Sequence, residues 1–204
     1  MKKAWILIIC TAFLSTVAGA AQKKAPVTDG VYKEYYESGA LQKESFYSTK
    51  KLDGAVKEYY ESGRLMSSTV YADDQRQGPA QTYYETGILK SDGIYRDNEL
   101  QGTFREYDES GRLISERNYE KGVLNGFAKL YFPSGAISRQ MYYKDAVLDG
   151  TALEFLESGS LKAEETYKDG ALVSRRETGG KDAVMASKPA APAAPVPPAA
   201  PASK

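Results

Sequence analysis

Residues 53–65 read Asp53-Gly54-Ala55-Val56-Lys57-Glu58-Tyr59-Tyr60-Glu61-Ser62-Gly63-Arg64-Leu65, and versions of this pattern return every 24 residues along the chain. Each unit begins with a glycine, at Gly30, Gly54, Gly78, Gly102, Gly126 and Gly150. A second glycine follows nine positions later, at Gly39, Gly63, Gly87, Gly111, Gly135 and Gly159. No insertion breaks the register of the six units. Self-similarity at this period is typical of repeat arrays, in which each unit packs mainly against its neighbours.

Each unit has the features of a β-hairpin. The segment after the first glycine is short and rich in aromatic residues, as strands are. The loop Glu61-Ser62-Gly63 then ends it, and a loop glycine in the left-handed region explains why Gly63 recurs. A second segment runs from Leu65 to Tyr71, and both segments are too short for stable helices. The sequence therefore predicts an all-β fold: an elongated antiparallel β-meander of six hairpins, about twelve strands, in a single twisted sheet.

Four positions in each unit are nearly constant, and we expect them to form the structural core of the repeat. The first is aromatic: Tyr35, Tyr59, Tyr83, Tyr107, Tyr131 and Phe155. The second is aliphatic: Leu41, Leu65, Leu89, Leu113, Ile137 and Leu161. The third is tyrosine: Tyr47, Tyr71, Tyr95, Tyr119, Tyr143 and Tyr167. The fourth is leucine, except for Arg76: Leu52, Leu100, Leu124, Leu148 and Leu172.

The loop length also predicts which of these positions meet. A three-residue loop places the first aromatic opposite the aliphatic residue across the hairpin. Because side chains alternate along a strand, the third-position tyrosine is then expected on the same face as the aliphatic residue.

The opposite face of the predicted sheet carries a different set of side chains. Glutamate recurs there, at Glu34, Glu58, Glu106 and Glu154, and tyrosines lie beside it in the first three units. Antiparallel sheets commonly leave one such face to solvent, and tyrosine anchors also suit a binding surface. The sequence leaves both interpretations open. The candidate partner-binding residues are Glu34, Tyr36, Glu58, Tyr60, Tyr84, Glu106 and Phe132.

The two ends of the chain differ from the array. Residues 1–20 have the pattern of a signal peptide: Lys2 and Lys3, an apolar stretch, and the small residues Ala18-Gly19-Ala20. A retained membrane anchor is the alternative, but the stretch is short for a bilayer span. Residues 21–28 form a lead-in, residues 29–173 the six repeats, and residues 174–204 a disordered tail rich in Ala and Pro. We therefore expect export to the periplasm or the extracellular space.

The composition offers little reactive chemistry. Histidine is absent, and the single cysteine, Cys10, lies in the predicted signal peptide. A histidine triad or a thiolate site is therefore excluded for the mature chain, and we predict no enzyme and no cofactor. Twenty-seven basic side chains balance 27 acidic ones, so no basic surplus favours nucleic acid or anionic lipid. Asp73-Asp74 and Asp97-Asn98-Glu99 are weak calcium candidates.

The unit D-G-x-x-x-E-Y-Y-E-S-G-x-L, followed by a tyrosine and a leucine, resembles the bacterial variant of the MORN repeat from Asp29 to Val173. The resemblance implies an array of β-hairpins. Bacterial arrays of this kind are often labelled antitoxin-like, and related eukaryotic repeats serve as scaffolding or membrane-proximal modules. This chain has fewer glycines than the eukaryotic pattern and a different tyrosine placement, so lipid binding is not carried over.

The functional hypothesis is an exported, non-catalytic scaffold that binds a macromolecular partner, most simply a protein, through its tyrosine- and glutamate-bearing face. Three alternatives stay open. The first is a glycan or cell-wall binding module, since tyrosine rings stack on sugars, and the second is an antitoxin or immunity protein. The third is an envelope hydrolase that uses paired carboxylates. Self-association through the edge strands is a further prediction, because exposed edges can pair with another chain.

Overall fold

The structure of the protein is a computed structural model, and it describes residues 28–178. Within this range the regular secondary structure consists of β-strands, which confirms the predicted fold class. No helix among the described residues has the length and apolar character to cross a membrane. The predicted signal peptide, nearly all of the lead-in, and the tail from residue 179 lie outside the described residues.

Sixteen strands form one antiparallel sheet whose order follows the chain. They are β1 Gly30–Tyr35, β2 Leu41–Ser48, β3 Lys51–Leu52, β4 Gly54–Tyr59, β5 Leu65–Ala72, β6 Gln75–Tyr83, β7 Leu89–Arg96, β8 Glu99–Leu100, β9 Gly102–Tyr107, β10 Leu113–Glu120, β11 Val123–Tyr131, β12 Ile137–Lys144, β13 Val147–Leu148, β14 Gly150–Phe155, β15 Leu161–Lys168 and β16 Ala171–Glu177. The two-residue strands β3, β8 and β13 pair back on β2, β7 and β12. These short strands, together with β16, raise the count above the expected twelve.

The loop inside each hairpin has the predicted three residues. In the second unit the Tyr60 N–H donates to the Arg64 carbonyl at 2.8 Å, and the Gly63 N–H donates to the Tyr60 carbonyl at 2.8 Å. Gly63 has a φ of 83°, which a Cβ atom would strain. The same two hydrogen bonds recur in all six units. They place Tyr59 opposite Leu65, and the corresponding pair forms in every hairpin, as predicted.

A β-bulge follows each loop and changes the face on which later side chains lie. Tyr59 pairs with Leu65, but the next pair is Glu58 with Ser67, so Met66 is an extra residue. One extra residue reverses the alternation along the rest of the strand. Tyr71 therefore lies on the face of Glu58, and the prediction that it shares the face of Leu65 is wrong. The bulge residues are Gln42, Met66, Lys90, Ile114, Ser138 and Lys162.

The sheet has two faces that carry different side chains. Face A carries the first-position aromatics, Tyr35, Tyr59, Tyr83, Tyr107, Tyr131 and Phe155. Face B carries the glutamates Glu34, Glu58, Glu106 and Glu154 and, because of the bulges, the third-position tyrosines.

Successive units are joined by two-residue turns in which both residues have positive φ. In the turn between β5 and β6, Asp73 and Asp74 have φ of 50° and 67°, the geometry of a type I′ turn. Asp74 then binds the previous unit twice. Its N–H donates to the Leu52 carbonyl at 2.9 Å, and its Oδ1 accepts from the Leu52 N–H at 2.8 Å. Asn98 binds Arg76 in the same way, so neighbouring turns are linked along one margin of the sheet.

Burial is concentrated towards the C-terminal end of the described array. On face B, Ala128, Met141 and Ala152 form a buried cluster. On face A, Tyr131, Ile137 and Phe155 form another. In the first two units the one buried hydrophobic side chain is Val56. Apolar burial is the main source of stability, so the fifth and sixth units hold the largest share of it.

The sheet extends past the array boundary at residue 173. Strand β16 runs from Ala171 to Glu177 and pairs antiparallel with β15. It follows the turn Asp169-Gly170 as β13 follows the turn Asp145-Ala146, and it continues through Ser174, where the other units have their first glycine.

Candidate interaction surface

The predicted row of glutamates lies together on face B, where each side chain is half-buried. The Ser67 hydroxyl donates to Glu58 Oε2 at 2.9 Å, and Lys43 Nζ lies 3.9 Å from Glu58 Oε1. Glu34 lies opposite Lys43 in the first hairpin. The Glu58 carboxylate thus contacts neighbouring side chains of the sheet and stays partly accessible to solvent.

Glu106 has the most developed set of contacts in this row. The Ser115 hydroxyl donates to Glu106 Oε2 at 2.7 Å, and Arg117 Nη1 donates to the same oxygen at 2.5 Å. Partial burial alone would raise the pKa of this carboxyl. The hydrogen bonds from Ser115 and Arg117 and the charge of Arg117 outweigh burial and hold the pKa of Glu106 below its ordinary value. Glu106 is therefore a fixed negative charge at neutral pH.

The candidate tyrosines of the first three units link neighbouring units through their hydroxyl groups. Tyr36 donates to the carbonyl of Tyr59 at 2.6 Å, and Tyr60 donates to the carbonyl of Tyr83 at 2.7 Å. Tyr84 donates to the carbonyl of Tyr107 at 2.8 Å. Each ring begins at the end of one hairpin and reaches the hairpin that follows. These three side chains therefore orient the units, and their rings remain half-buried.

Carboxylates of the next unit act on two of these tyrosines, Tyr36 and Tyr84. Burial raises the pKa of the Tyr36 hydroxyl, and the charges of Glu61 and Glu58 add to the rise. Burial also raises the pKa of the Tyr84 hydroxyl, with Glu109 and Asp108 adding to it. Both hydroxyls therefore stay protonated and remain hydrogen-bond donors. Tyr36 and Tyr84 therefore lie in the field of acidic side chains of the unit that follows.

The last three units lack this tyrosine link. Phe132, the candidate from the fifth unit, is half-buried and has no hydroxyl. Asp108 in the fourth unit instead accepts from the N–H groups of Ser110 and Arg112 and from Arg112 Nε, each within its own loop. The hydrogen bond from the Arg112 backbone is the largest cause that lowers the pKa of Asp108. The candidate surface is therefore continuous only over the N-terminal units.

The third-position tyrosines add a second aromatic row to face B that sequence reasoning placed on the other face. Tyr119 packs edge-on against Phe104 with ring centroids 6.3 Å apart. The Arg76 guanidinium lies 4.1 Å from the ring centroid of Tyr95. All six of these tyrosines are half-buried. Sequence reasoning missed the extra residue after each loop, because the residue types at that position vary from unit to unit and show no preference for a bulge.

Face A holds the first-position aromatics through polar contacts within the sheet. The Tyr107 hydroxyl donates to Asp92 Oδ1 at 3.0 Å, and the Tyr131 hydroxyl donates to Glu116 Oε2 at 2.6 Å. Arg105 bridges these two carboxylates. Burial, together with the hydrogen-bonded carboxylate, raises the pKa of both tyrosines. The second-position residues Leu41, Leu65, Leu89 and Leu113 are half-buried.

Face A also exposes a row of apolar side chains that the sequence reasoning did not single out. Val31 pairs with Phe46, Pro79 with Ile94, and Phe127 with Tyr142. The exposed members of the row are Val31, Phe46, Ile94, Phe127 and Tyr142. The signal was available in the sequence, because these positions recur at the 24-residue period.

The acidic turns considered for calcium are engaged in contacts of their own. Asp73 pairs with Lys51, and Asp74 accepts from the Leu52 backbone. Among residues 28–178, no group of three or more possible ligands is placed to hold a metal ion.

An open antiparallel sheet of repeated hairpins defines the class: this is a β-repeat scaffold protein. The family model described as MORN repeat variant matches residues 28–48, 52–73, 76–97, 100–121 and 148–169. These matches cover more than half of the chain, and the chain belongs to the MORN repeat variant family. No curated protein matches it.

The fifth unit falls between the matched segments, yet it folds like the others. Strands β11 and β12 form its hairpin, with the same two loop hydrogen bonds. Its sequence departs from the pattern at Leu130, Phe132 and Pro133, where the second unit has Glu58, Tyr60 and Glu61. The fifth unit keeps the loop glycine Gly135, the 24-residue spacing and the core pair Tyr131 and Ile137, and with them the fold.

Proposed function

We propose that this protein is an exported, non-catalytic scaffold that binds another protein through face B of its N-terminal units. The observation that carries the proposal is the row of half-buried tyrosines Tyr36, Tyr60 and Tyr84, each bonded through its hydroxyl to the next hairpin and lying on the face that carries Glu34 and Glu58. Tyrosine combines a large apolar ring with a polar group and is enriched at protein interfaces. Export is supported by the signal-peptide pattern of residues 1–20.

The binding mechanism follows from the geometry of the repeat. The inter-unit hydrogen bonds hold the tyrosine rings before a partner arrives, so little side-chain entropy is lost on binding. Glu34 and Glu58, on either side of Lys43, add charged groups that favour a partner with complementary side chains. Such a partner covers the half-buried rings and pairs with the carboxylates.

The experiment compares two charge reversals in the first unit. Glu34→Lys changes face B, and Glu44→Lys changes face A, where Glu44 pairs with Lys33. Purified protein is immobilised and challenged with cell-envelope extract, and bound proteins are quantified against a blank. We expect Glu34→Lys to lose the bound protein and Glu44→Lys to keep it. No protein above background, or equal loss in both variants, contradicts the proposal.

The alternatives give different outcomes in the same series. A glycan-binding module is retained by purified cell-wall polysaccharide in the absence of any protein. If the protein is an antitoxin, the unaltered chain inhibits a toxin and the Glu34→Lys variant does not. A hydrolase turns over wall or glycan substrates. Each result replaces protein binding with the function that it names.

A further inference from the structure

The last strand of the described sheet, β16, is held differently from the strands before it. All seven residues of β16 are exposed, including Leu172 at 53% and Val173 at 64%. Strand β15, by contrast, buries Ala163 and Glu165. Backbone hydrogen bonds to β15 offset only part of the entropy that is lost when a strand becomes ordered. Apolar burial usually supplies the rest, so in β16 the polar side-chain contacts decide how firmly the strand is attached.

Glu165 on β15 is the main side-chain anchor for β16. Among the residues that the structure describes, it is the one charged residue that is buried. On face B its carboxylate accepts hydrogen bonds from the Arg175 guanidinium of β16 and, at 3.0 Å, from the Tyr167 hydroxyl. Arg139 Nη2 of β12 donates to the same carboxylate at 2.7 Å. A buried carboxylate needs such partners, because they offset its lost hydration.

The two arginines reach the Glu165 carboxylate from opposite sides. Arg139 reaches it over β14, the strand that lies between β12 and β15. Arg175 reaches it from β16, where it lies directly opposite Glu165. When β16 separates from β15, Glu165 still has the hydrogen bonds from Arg139 and Tyr167. The carboxylate therefore keeps partners in both states, and β14 and β15 can remain paired without β16.

The adjacent arginine makes a weaker contact on the other face of the sheet. Arg176 Nη2 lies 2.7 Å from Glu164 Oε2 on β15, but the Arg176 side chain is 72% exposed. Ion pairs in contact with solvent contribute little to stability, whereas removing one partner of a buried charge is costly. The attachment of β16 therefore depends on Arg175 far more than on Arg176.

We propose that β16 is a detachable strand, which Arg175 anchors to the buried Glu165 and which opens and closes while the strands before it stay paired. In the closed state the backbone groups of β15 that face β16 are paired, and in the open state they are exposed. This margin of the sheet thus has a protected and an unprotected form. The inference does not rest on partner binding by face B, because it concerns the opposite end of the described array.

Hydrogen exchange of the purified full-length protein, resolved amide by amide with NMR, tests the proposal. The amides of β16 that bond to β15 should exchange at least about tenfold faster than the paired amides of β12 and β14, because β16 opens on its own. Arg175→Gln should speed the exchange of these β16 amides by at least about tenfold more, since it removes the anchor. The amides of β12 and β14 should keep their rates in this variant.

The matched control is Arg176→Gln, which removes the neighbouring arginine from its exposed ion pair. Its effect on the exchange of β16 should stay below about fivefold, as expected for a solvent-exposed pair. Circular dichroism of both variants establishes that the sheet is folded.

Three results overturn the proposal. One is exchange of β16 in step with β12 and β14 in the unaltered protein, since the strand then opens only with the array. Another is an equal effect of Arg175→Gln and Arg176→Gln, since the buried carboxylate then contributes no more than the exposed pair. The third is a loss of protection in every strand of Arg175→Gln. Because no binding partner is present in these measurements, failure here is distinguishable from failure of partner binding.

Discussion

Tyr60 connects two units with a single hydroxyl group. It leaves the end of one hairpin and donates to the carbonyl of Tyr83 in the next. In the first three units of this chain a residue at the loop border thereby links neighbouring repeats, and the stability of an array depends on the contacts between repeats. The aromatic ring of such a residue can serve binding while its hydroxyl serves the fold.

Removal of the Tyr60 hydroxyl tests this link. We expect Tyr60→Phe to destabilise the protein by about 1 kcal/mol, because the Tyr83 carbonyl loses its donor and the ring is kept. The midpoint of chemical denaturation measures it. Tyr142→Phe is the control: its hydroxyl has no hydrogen-bond partner among the described residues, and its effect should stay within about 0.5 kcal/mol. An equal effect of both substitutions would show that the hydroxyl bond contributes nothing.

Glu106 makes stability depend on pH in the acid range. Its contacts with Ser115 and Arg117 lower its pKa in the folded protein below the ordinary 4.5. Its contribution is therefore complete above the unfolded pKa and is lost as the pH falls through the folded pKa. We expect Glu106→Gln to flatten the loss of stability below about pH 4.5, measured by denaturation across pH. Glu109→Gln, in the exposed loop, should reproduce the unaltered profile; matching profiles for both variants would contradict the assignment.

At the scale of elements, the inter-unit turns differ in how well their residues suit them. Both turn positions have positive φ, where asparagine and glycine are favoured. Asn98 meets this demand and also accepts from the Arg76 N–H at 2.8 Å. Ala146 has a φ of 63° and makes only the backbone bond to Leu124. The turn between β12 and β13 therefore lacks a bond that the Asn98 turn makes.

Substitutions at Ala146 and Asn98 test whether the side-chain hydrogen bond stabilises the turn. We expect Ala146→Asn to stabilise the protein by about 0.5–1 kcal/mol, since asparagine tolerates this φ and can accept from the Leu124 N–H. Asn98→Ala should destabilise it by a similar amount. Thermal unfolding of the two variants provides the comparison. Changes of the same sign would mean that the side-chain bond does not decide turn stability.

At the scale of the whole molecule, the array has a gradient of burial. Both buried clusters lie in the fifth and sixth units, and the first two units bury one hydrophobic side chain, Val56. Repeat arrays open unit by unit, because each unit contacts only its neighbours. The N-terminal units, which carry the candidate surface, are therefore the ones most easily opened.

Hydrogen exchange measures this gradient directly. We expect the amides of strands β11 to β15 to exchange more slowly than those of β1 to β5, because opening the C-terminal units exposes more apolar surface. Uniform protection along the array, or slower exchange at the N-terminal end, would contradict this expectation. A partner that binds face B should slow exchange in β1 to β5 selectively.

The strands and their pairing within each hairpin could be predicted from the residues alone. The 24-residue spacing and the loop glycines specify hairpins, because a three-residue loop with glycine at positive φ closes two antiparallel strands without strain. Tyr59 opposite Leu65 followed from loop length alone. The faces were decided by the tertiary structure, since the bulge at Met66 arises from how the two strands pair, and it moved Tyr71 to the face of Glu58. Neighbours such as the Tyr83 carbonyl for Tyr60 were likewise set by the stacking of units, because residues 23 apart in the chain meet only when one hairpin packs on the next.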